Sequence, residues 1–348
     1  MTSTRRRPGS AALLGSWLLI VVALIGCGPP TDQESIQISG PTMGTYYVVQ
    51  VADPPAGLTA HELKQAVETI LDRVIAEIST YEPESELSRF NQNRSTDWVP
   101  VSANLVEIVA ESLELSRLTD GTYDPTIGPL VNLWGFGAQG RVAEPPTAAA
   151  VAAAAERVGF DQLAWRAEPP ALRKARPDLY LDLSSLGEGY GADLIADFLE
   201  SRGLDHYLVA VAGTLRVKGL NTRGTPWAIA IEEPTPGYRA VHRIIQIGDG
   251  ALSTSGDYRN YFEHEDRRYS HQIDPRTGEP VFHRVASVTV VGESATSVDG
   301  LATALMVLGD ERGPALAEAE GIAAYFILRG DDDDFESWAT PAFEALFD

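Results

Sequence analysis

Apolar positions recur along this 348-residue chain in two rhythms, and the local rhythm predicts the local element. Leu63, Val67, Ile70, Leu71, Val74, Ile75 and Ile78 fall on one helical face, and Thr59-Ala60-His61-Glu62 ahead of them has the spacing of a capping box. A second helix is predicted from Ser102 to Leu118, with Gly121 shortly beyond it. The alanine-rich stretch from Thr147 to Arg157 is good material for a third. Thr45 to Val51 is rich in β-formers and reads as a strand. Further strands are expected at Tyr180 to Leu183, Tyr207 to Ala212, Trp227 to Ile231, Ile244 to Ile247, Ala286 to Val291 and Ile322 to Leu328. Helices are expected at Tyr190 to Arg202, Asp299 to Val307 and Pro314 to Ala319. This mixed order predicts an α+β architecture, mixed sheets with packed helices, over a doubly wound sheet.

The start of the chain follows neither rhythm. Arg5, Arg6 and Arg7 precede an uncharged apolar stretch from Ala11 to Gly26, which stops abruptly at Cys27-Gly28-Pro29-Pro30. A membrane-spanning helix needs about 20 apolar residues, so this shorter run reads as an export signal. The twin arginines lack the rest of a Tat-type signal. Cys27 is the only cysteine, which leaves no internal disulfide to form. Leu24-Ile25-Gly26-Cys27 resembles the bacterial lipoprotein box, in which the signal is removed before a cysteine that receives lipid. The alternative is a membrane-anchored chain whose cysteine sits there by chance. The chain therefore divides into a signal at 1–26, a polar tether at 27–37 and one folded unit at 38–348, with no internal repeat. Gly28 after the cysteine carries no acidic retention signal, so an outer-membrane anchor facing the periplasm is the default expectation.

Charge narrows the partners. Removing residues 1–26 takes away three arginines and no acid, so 24 basic residues face 49 acidic ones. Nucleic acid is excluded as a partner on that balance. An anionic ligand would need a cation or a local basic group to approach such a surface, which makes a metal worth seeking. Asp331 to Asp334 is an acidic run read as a solvated loop.

Several segments combine glycine and polar residues in ways that a core does not require. They are Met43-Gly44-Thr45-Tyr46, Ser79-Thr80-Tyr81, Ser85 to Asn91, Tyr123 to Gly137, Leu181 to Asp193, Ser253 to Tyr258, Ser270 to Gly278 and Ser297 to Ala304. Asp299 and Thr303 are four apart, so both oxygens project from one face of a helix. From the residues alone the pair fits either a hard-cation site of the Mg²⁺ type, or a helix cap and a hydroxyl bonded back to the preceding turn. Gly187-Glu188-Gly189-Tyr190-Gly191 is a weak match to a dinucleotide fingerprint, because its third glycine comes one place early. His271 precedes a predicted turn at Asp274-Pro275-Arg276-Thr277-Gly278.

In order and spacing these segments resemble the ApbE family of FAD:protein FMN transferases, from about residue 39 to 345. The resemblance implies Mg²⁺ held by Asp299, Thr303 and a main-chain oxygen of Ser185. It implies FAD contacts at Met43, Tyr81, Thr122, Tyr123, Asp124, Asp182, Glu188 and Ile273, and a role for His271 at the phosphoryl centre. The reaction implied is attack by a threonine or serine hydroxyl of an acceptor protein on the FMN phosphorus of FAD, with AMP leaving, the acceptor belonging to a membrane redox complex. The sequence departs from the family pattern twice. Glu188 stands where many members have lysine, although a Gly-Glu-Gly-Tyr version also occurs, and Ala212 stands where glycine is common. A magnesium-dependent FAD pyrophosphatase and a non-catalytic flavin-binding lipoprotein are the competing readings, and the general base is open between His271 and a carboxylate beside the metal.

Overall fold

The computed structural model describes residues 34–235, 237–331 and 334–347. The signal, Cys27 and most of the tether lie outside the described residues, as do Asp332 and Asp333 of the acidic run. In chain order the helices are α1 (Ala60–Ile78), α2 (Glu86–Gln92), α3 (Ala103–Leu118), α4 (Gly128–Leu133), α5 (Ala148–Ala155), α6 (Ser184–Ser201), α7 (Ala295–Ala319) and α8 (Pro341–Glu344). An eight-stranded antiparallel sheet forms the centre. Its order is Ser35–Thr42, Thr45–Ala52, Tyr207–Val211, Thr214–Lys218, Gly250–Gly256, Val285–Gly292, Ala323–Arg329 and Phe335–Ala339.

Both faces of this sheet are covered. Val49, Val51, Val209 and Val211 join α1, α6 and α7 in one core, while Val48, Ala52, Leu208 and Ala210 join the hairpin of Trp227–Glu232 and Val241–Ile247 and α8 in another. Adjacent residues of a strand point to opposite faces, so a doubly covered strand is apolar at every position. Tyr207–Val211 is buried throughout for that reason. A third core gathers α3, the C-terminal half of α1, and Leu179 to Leu186.

Most expected elements form. Thr59 caps α1 with the reciprocal bonds of a capping box, and Ser102 and Thr147 cap α3 and α5. Others differ. Ser35–Thr42 is already a strand, ahead of the Ile38 from which the sequence places the folded part. Tyr180 to Leu183 is not a strand but an irregular segment, because its main chain pairs with a side chain: Asn91 Nδ2 donates to the Leu181 carbonyl and the Leu181 amide donates to Asn91 Oδ1, both at 2.8 Å. α6 starts at Ser184 and takes in the glycine-rich segment, so Gly187, Gly189 and Gly191 lie inside a helix and not in a phosphate-binding turn. The two helices expected near the C-terminus do form, meeting across a kink at Gly309, where φ is 80°, within the span labelled α7, but the first begins at Ala295, earlier than expected. Ser294 is its N-cap, which puts Asp299 within the helix and removes its reading as a cap.

Candidate active site

α6 and α7 cross with unusual closeness at Gly189. A Cβ there would stand 2.2 Å from the Ala295 carbonyl oxygen and 2.7 Å from Thr296 Cα. Asp193, one turn further along α6, fixes the start of α7 by accepting from Ser294 Oγ, the Ala295 and Thr296 amides and Thr296 Oγ1, all at 2.8–2.9 Å. Together these contacts set Asp299 against α6.

The Asp299 carboxylate accepts from the Gly189 amide at 2.9 Å and from Thr214 Oγ1 and Ser253 Oγ at 3.1 Å each. The two hydroxyls also meet each other at 2.8 Å. One turn after Asp299, Thr303 Oγ1 lies 3.2 Å from Ser255 Oγ. Ser185 Oγ donates to the Tyr123 hydroxyl at 3.0 Å. Glu188, half-buried, accepts from the Gly213 amide at 3.1 Å.

This cage is rich in oxygen, and among the described residues no basic side chain hydrogen-bonds to Asp299 or Glu188. Burial, its largest cause, pushes the Asp299 carboxyl well above the ordinary carboxylate range. Burial also raises Glu188, and the neighbouring Asp299 charge adds to the effect. Burial raises the Tyr123 hydroxyl as well. A buried and a half-buried carboxyl among hydroxyls and a main-chain oxygen are the donor chemistry that a hard divalent cation takes, and a cation would reverse the local preference for the protonated forms. Among the described residues no three His, Cys, Asp or Glu side chains converge on one point.

The other sequence-predicted residues divide into a near rim and a separate bank. Asp182 is buried at the entry to α6, where its Oδ1 accepts from the Ser184 amide and hydroxyl. Thr122 is buried with no partner for its hydroxyl among the described residues, leaving an oxygen for a ligand. Met43, in the left-handed region at φ 48°, occupies a two-residue hairpin turn and packs against the first and third cores. Asp124 is committed to its own loop: it accepts from the Thr126 amide and hydroxyl at 2.7 and 2.6 Å and from the Phe160 amide at 3.0 Å.

Tyr81 is 62% exposed and donates to the Phe136 carbonyl. Phe136 in turn meets the His271 ring edge-on, with centroids 6.3 Å apart, and Ile273 is buried beside Leu130 and Trp134. His271 Nδ1 lies 3.0 Å from the Asn260 carbonyl. A carbonyl only accepts, so Nδ1 carries the hydrogen and Nε2 keeps its lone pair, towards which the Gln272 amide points at 3.3 Å. Burial holds the imidazole below its ordinary pKa, with the Asn260 bond opposing. No hydrogen bond or ring contact among the described residues joins His271 to Asp299, Glu188 or Asp182, although the Asp182 charge, after burial, helps raise the Tyr81 hydroxyl.

Sequence reasoning assigned no role to Thr214, Ser253 or Asp193. Thr214 and Ser253 are almost wholly buried hydroxyl residues in strands of mixed composition, so no local pattern marks them, and Asp193 reads as one more acid of a helix.

Comparison with known proteins finds relatives over nearly the whole chain. A FAD:protein FMN transferase of Vibrio cholerae is 44% identical over 332 residues, covering 94% of this chain and 98% of that protein. Its counterpart in Escherichia coli strain K12 is 41% identical over 315 residues, covering 90% of this chain and 89% of its own length. Among solved structures, the flavin transferase ApbE from Vibrio cholerae matches with a TM-score of 0.83 at 43% identity, covering 90% of this chain and 99% of that one. The apo flavinyl transferase ApbE from Pseudomonas stutzeri matches with a TM-score of 0.82 at 41% identity, covering 90% and 97%. The ApbE family model spans residues 43–326, and with it this chain belongs to the ApbE family.

Proposed function

We propose that the protein transfers FMN from FAD to a threonine or serine hydroxyl of an acceptor protein, forming a phosphoester and releasing AMP in a magnesium-dependent reaction. The relatives' shared name supports flavin transfer from FAD to protein. The observation that carries the finer reading is the buried, oxygen-rich cage around Asp299, which lacks a basic side chain among its partners. Asp299, Thr303 and the Ser185 carbonyl would hold Mg²⁺, which when bound would neutralise the diphosphate charge. Gly189, Thr214 and Ser253 orient Asp299 for that task. His271, neutral and with Nε2 free of hydrogen, suits the proton transfer. The acceptor oxygen would attack the FMN phosphorus and give its proton to Nε2 as the bond to the AMP phosphate oxygen breaks. Thr122, Tyr123, Asp182 and Tyr81 would line the flavin side, and Glu188 the phosphate or ribose side, as an acceptor of hydrogen bonds.

The test is incubation of the chain with FAD, Mg²⁺ and a candidate acceptor, followed by intact mass measurement. One FMN added to the acceptor with equal AMP release is expected, and Asp299→Ala should abolish it. Free FMN with an unlabelled acceptor would make the protein a pyrophosphatase, and unchanged FAD would make it a flavin-binding protein. We further propose export and lipid anchoring at Cys27. Cys27→Ser should remain unprocessed or leave the membrane fraction, and unchanged mass and fractionation would refute the anchor.

A further inference from the structure

We propose that Arg259 neutralises the diphosphate of the dinucleotide substrate and that Glu232 holds its guanidinium in reserve until that substrate enters. The inference rests on the transfer reading above for the identity of the substrate, and adds the cation that the cage lacks. Bringing two phosphates against Asp299 and Glu188 in a chain this acidic calls for positive charge beyond a single divalent ion. The residues that line the cage supply none.

Arg259 lies in the loop directly after the strand Gly250–Gly256, which supplies Ser253 and Ser255. It immediately precedes Asn260, whose carbonyl accepts from both the amide and Nδ1 of His271. The chain thus passes through Arg259 on its way from the cage to the histidine. Its field is felt at Glu188, where it opposes the effect of burial. The buried Tyr258 anchors the loop, and the guanidinium lies over that ring at 5.3 Å from the centroid.

Its present partner is Glu232, at the end of the strand Trp227–Glu232. Glu232 is shared: Arg239 Nε lies 3.7 Å from its Oε1. Arg259 can therefore leave without stranding an unpaired carboxylate. The Arg259 side chain is 41% exposed, and an ion pair so placed is weak. A diphosphate offers the planar guanidinium two charged oxygens, which it binds in a bidentate fashion.

The experiment uses the chain without its signal and titrates ADP and riboflavin separately, at low and high salt, into wild type, Arg259→Gln, Arg259→Lys and Glu232→Gln. ADP carries the diphosphate and riboflavin does not. Arg259→Gln should weaken ADP binding at low salt by about tenfold or more, less at high salt, and leave riboflavin unchanged. Arg259→Lys should recover part of the loss. Glu232→Gln should tighten ADP by releasing Arg259, the opposite sign to that of a broken structural pair. Wild-type ADP affinity in Arg259→Gln, equal loss of ADP and riboflavin, or weaker ADP binding in Glu232→Gln would each overturn the proposal. These titrations need no acceptor, so a chain that binds ADP through Arg259 but labels no protein refutes transfer and leaves the arginine's role standing.

Discussion

Replacing Gly189 with alanine tests the closeness on which the cage depends. The added methyl carbon would meet the Ala295 carbonyl oxygen at 2.2 Å, its carbon at 2.5 Å and Thr296 Cα at 2.7 Å, all main-chain atoms of the first turn of α7. A single methyl has no rotamer that avoids them, so the helices must part by about 1 Å to restore ordinary contact. Overpacking of this kind costs about 1–3 kcal/mol. Parting also stretches the Gly189 bond to Asp299, and a hydrogen bond to a carboxyl that burial biases towards its neutral form is worth about 0.5–1.5 kcal/mol. Against this, alanine in a helix interior recovers about 1 kcal/mol over glycine. The net expectation is destabilisation by about 0.5–3.5 kcal/mol, with loss of flavin transfer because Asp299 moves. Gly187→Ala is the internal control: its methyl would meet only Ile78 Cδ1 at 3.5 Å, an ordinary contact, so it should be neutral or gain up to about 1 kcal/mol. Urea midpoints at constant slope measure both, with flavinylation rates in parallel. Equal stability of the two variants would refute the tight crossing.

His271→Ala should keep FAD affinity while the transfer rate falls by about 10²- to 10⁴-fold, and loss of FAD binding in a folded variant would make His271 a flavin-site residue instead. Because burial lowers the His271 pKa in the folded state, the unfolded chain takes up its proton first on acidification. The histidine's contribution to stability should therefore be present above its ordinary value of about 6.5 and be lost as pH falls towards the folded value, whereas the rate of the folded protein should fail only at the lower pH where the folded imidazole itself takes up a proton. Comparison of wild type with His271→Gln by urea midpoint against pH checks the sign. Ala212→Gly should stabilise by about 1 kcal/mol, since Ala212 sits at φ 49° in a two-residue turn, a conformation costly for any residue with a Cβ. An unchanged urea midpoint would show that the turn already tolerates the methyl.

The local parts of this fold were legible in the sequence and the long-range parts were not. The Thr59 capping box and the apolar face of α1 depend on residues a few places apart, and both appear as predicted. Tyr180 to Leu183 has strand composition, yet its main chain is paired by Asn91, 90 positions earlier, a competitor that no local pattern reveals. The start of α6 was masked by its glycines, which read as turn residues by propensity and are tolerated because α7 needs the space beside Gly189. Asp299, Thr303 and Ser185 were named through the family resemblance. Thr214 and Ser253 were not, because a hydroxyl inside a strand reads as an ordinary β-former until its partner is known.

The hydrogen bonds that define the carboxylate cage join residues 25, 46, 85 and 110 positions apart. Contacts of such separation close late in folding, after the loop-closure entropy of the intervening chain has been met. A nascent chain therefore has no finished cage in which to hold a ligand. Any ligand that binds the finished cage stabilises the whole fold and nothing short of it. A protease that cuts between Glu188 and Asp299 would erase the site at one stroke, and resistance to such a cut would report its occupancy.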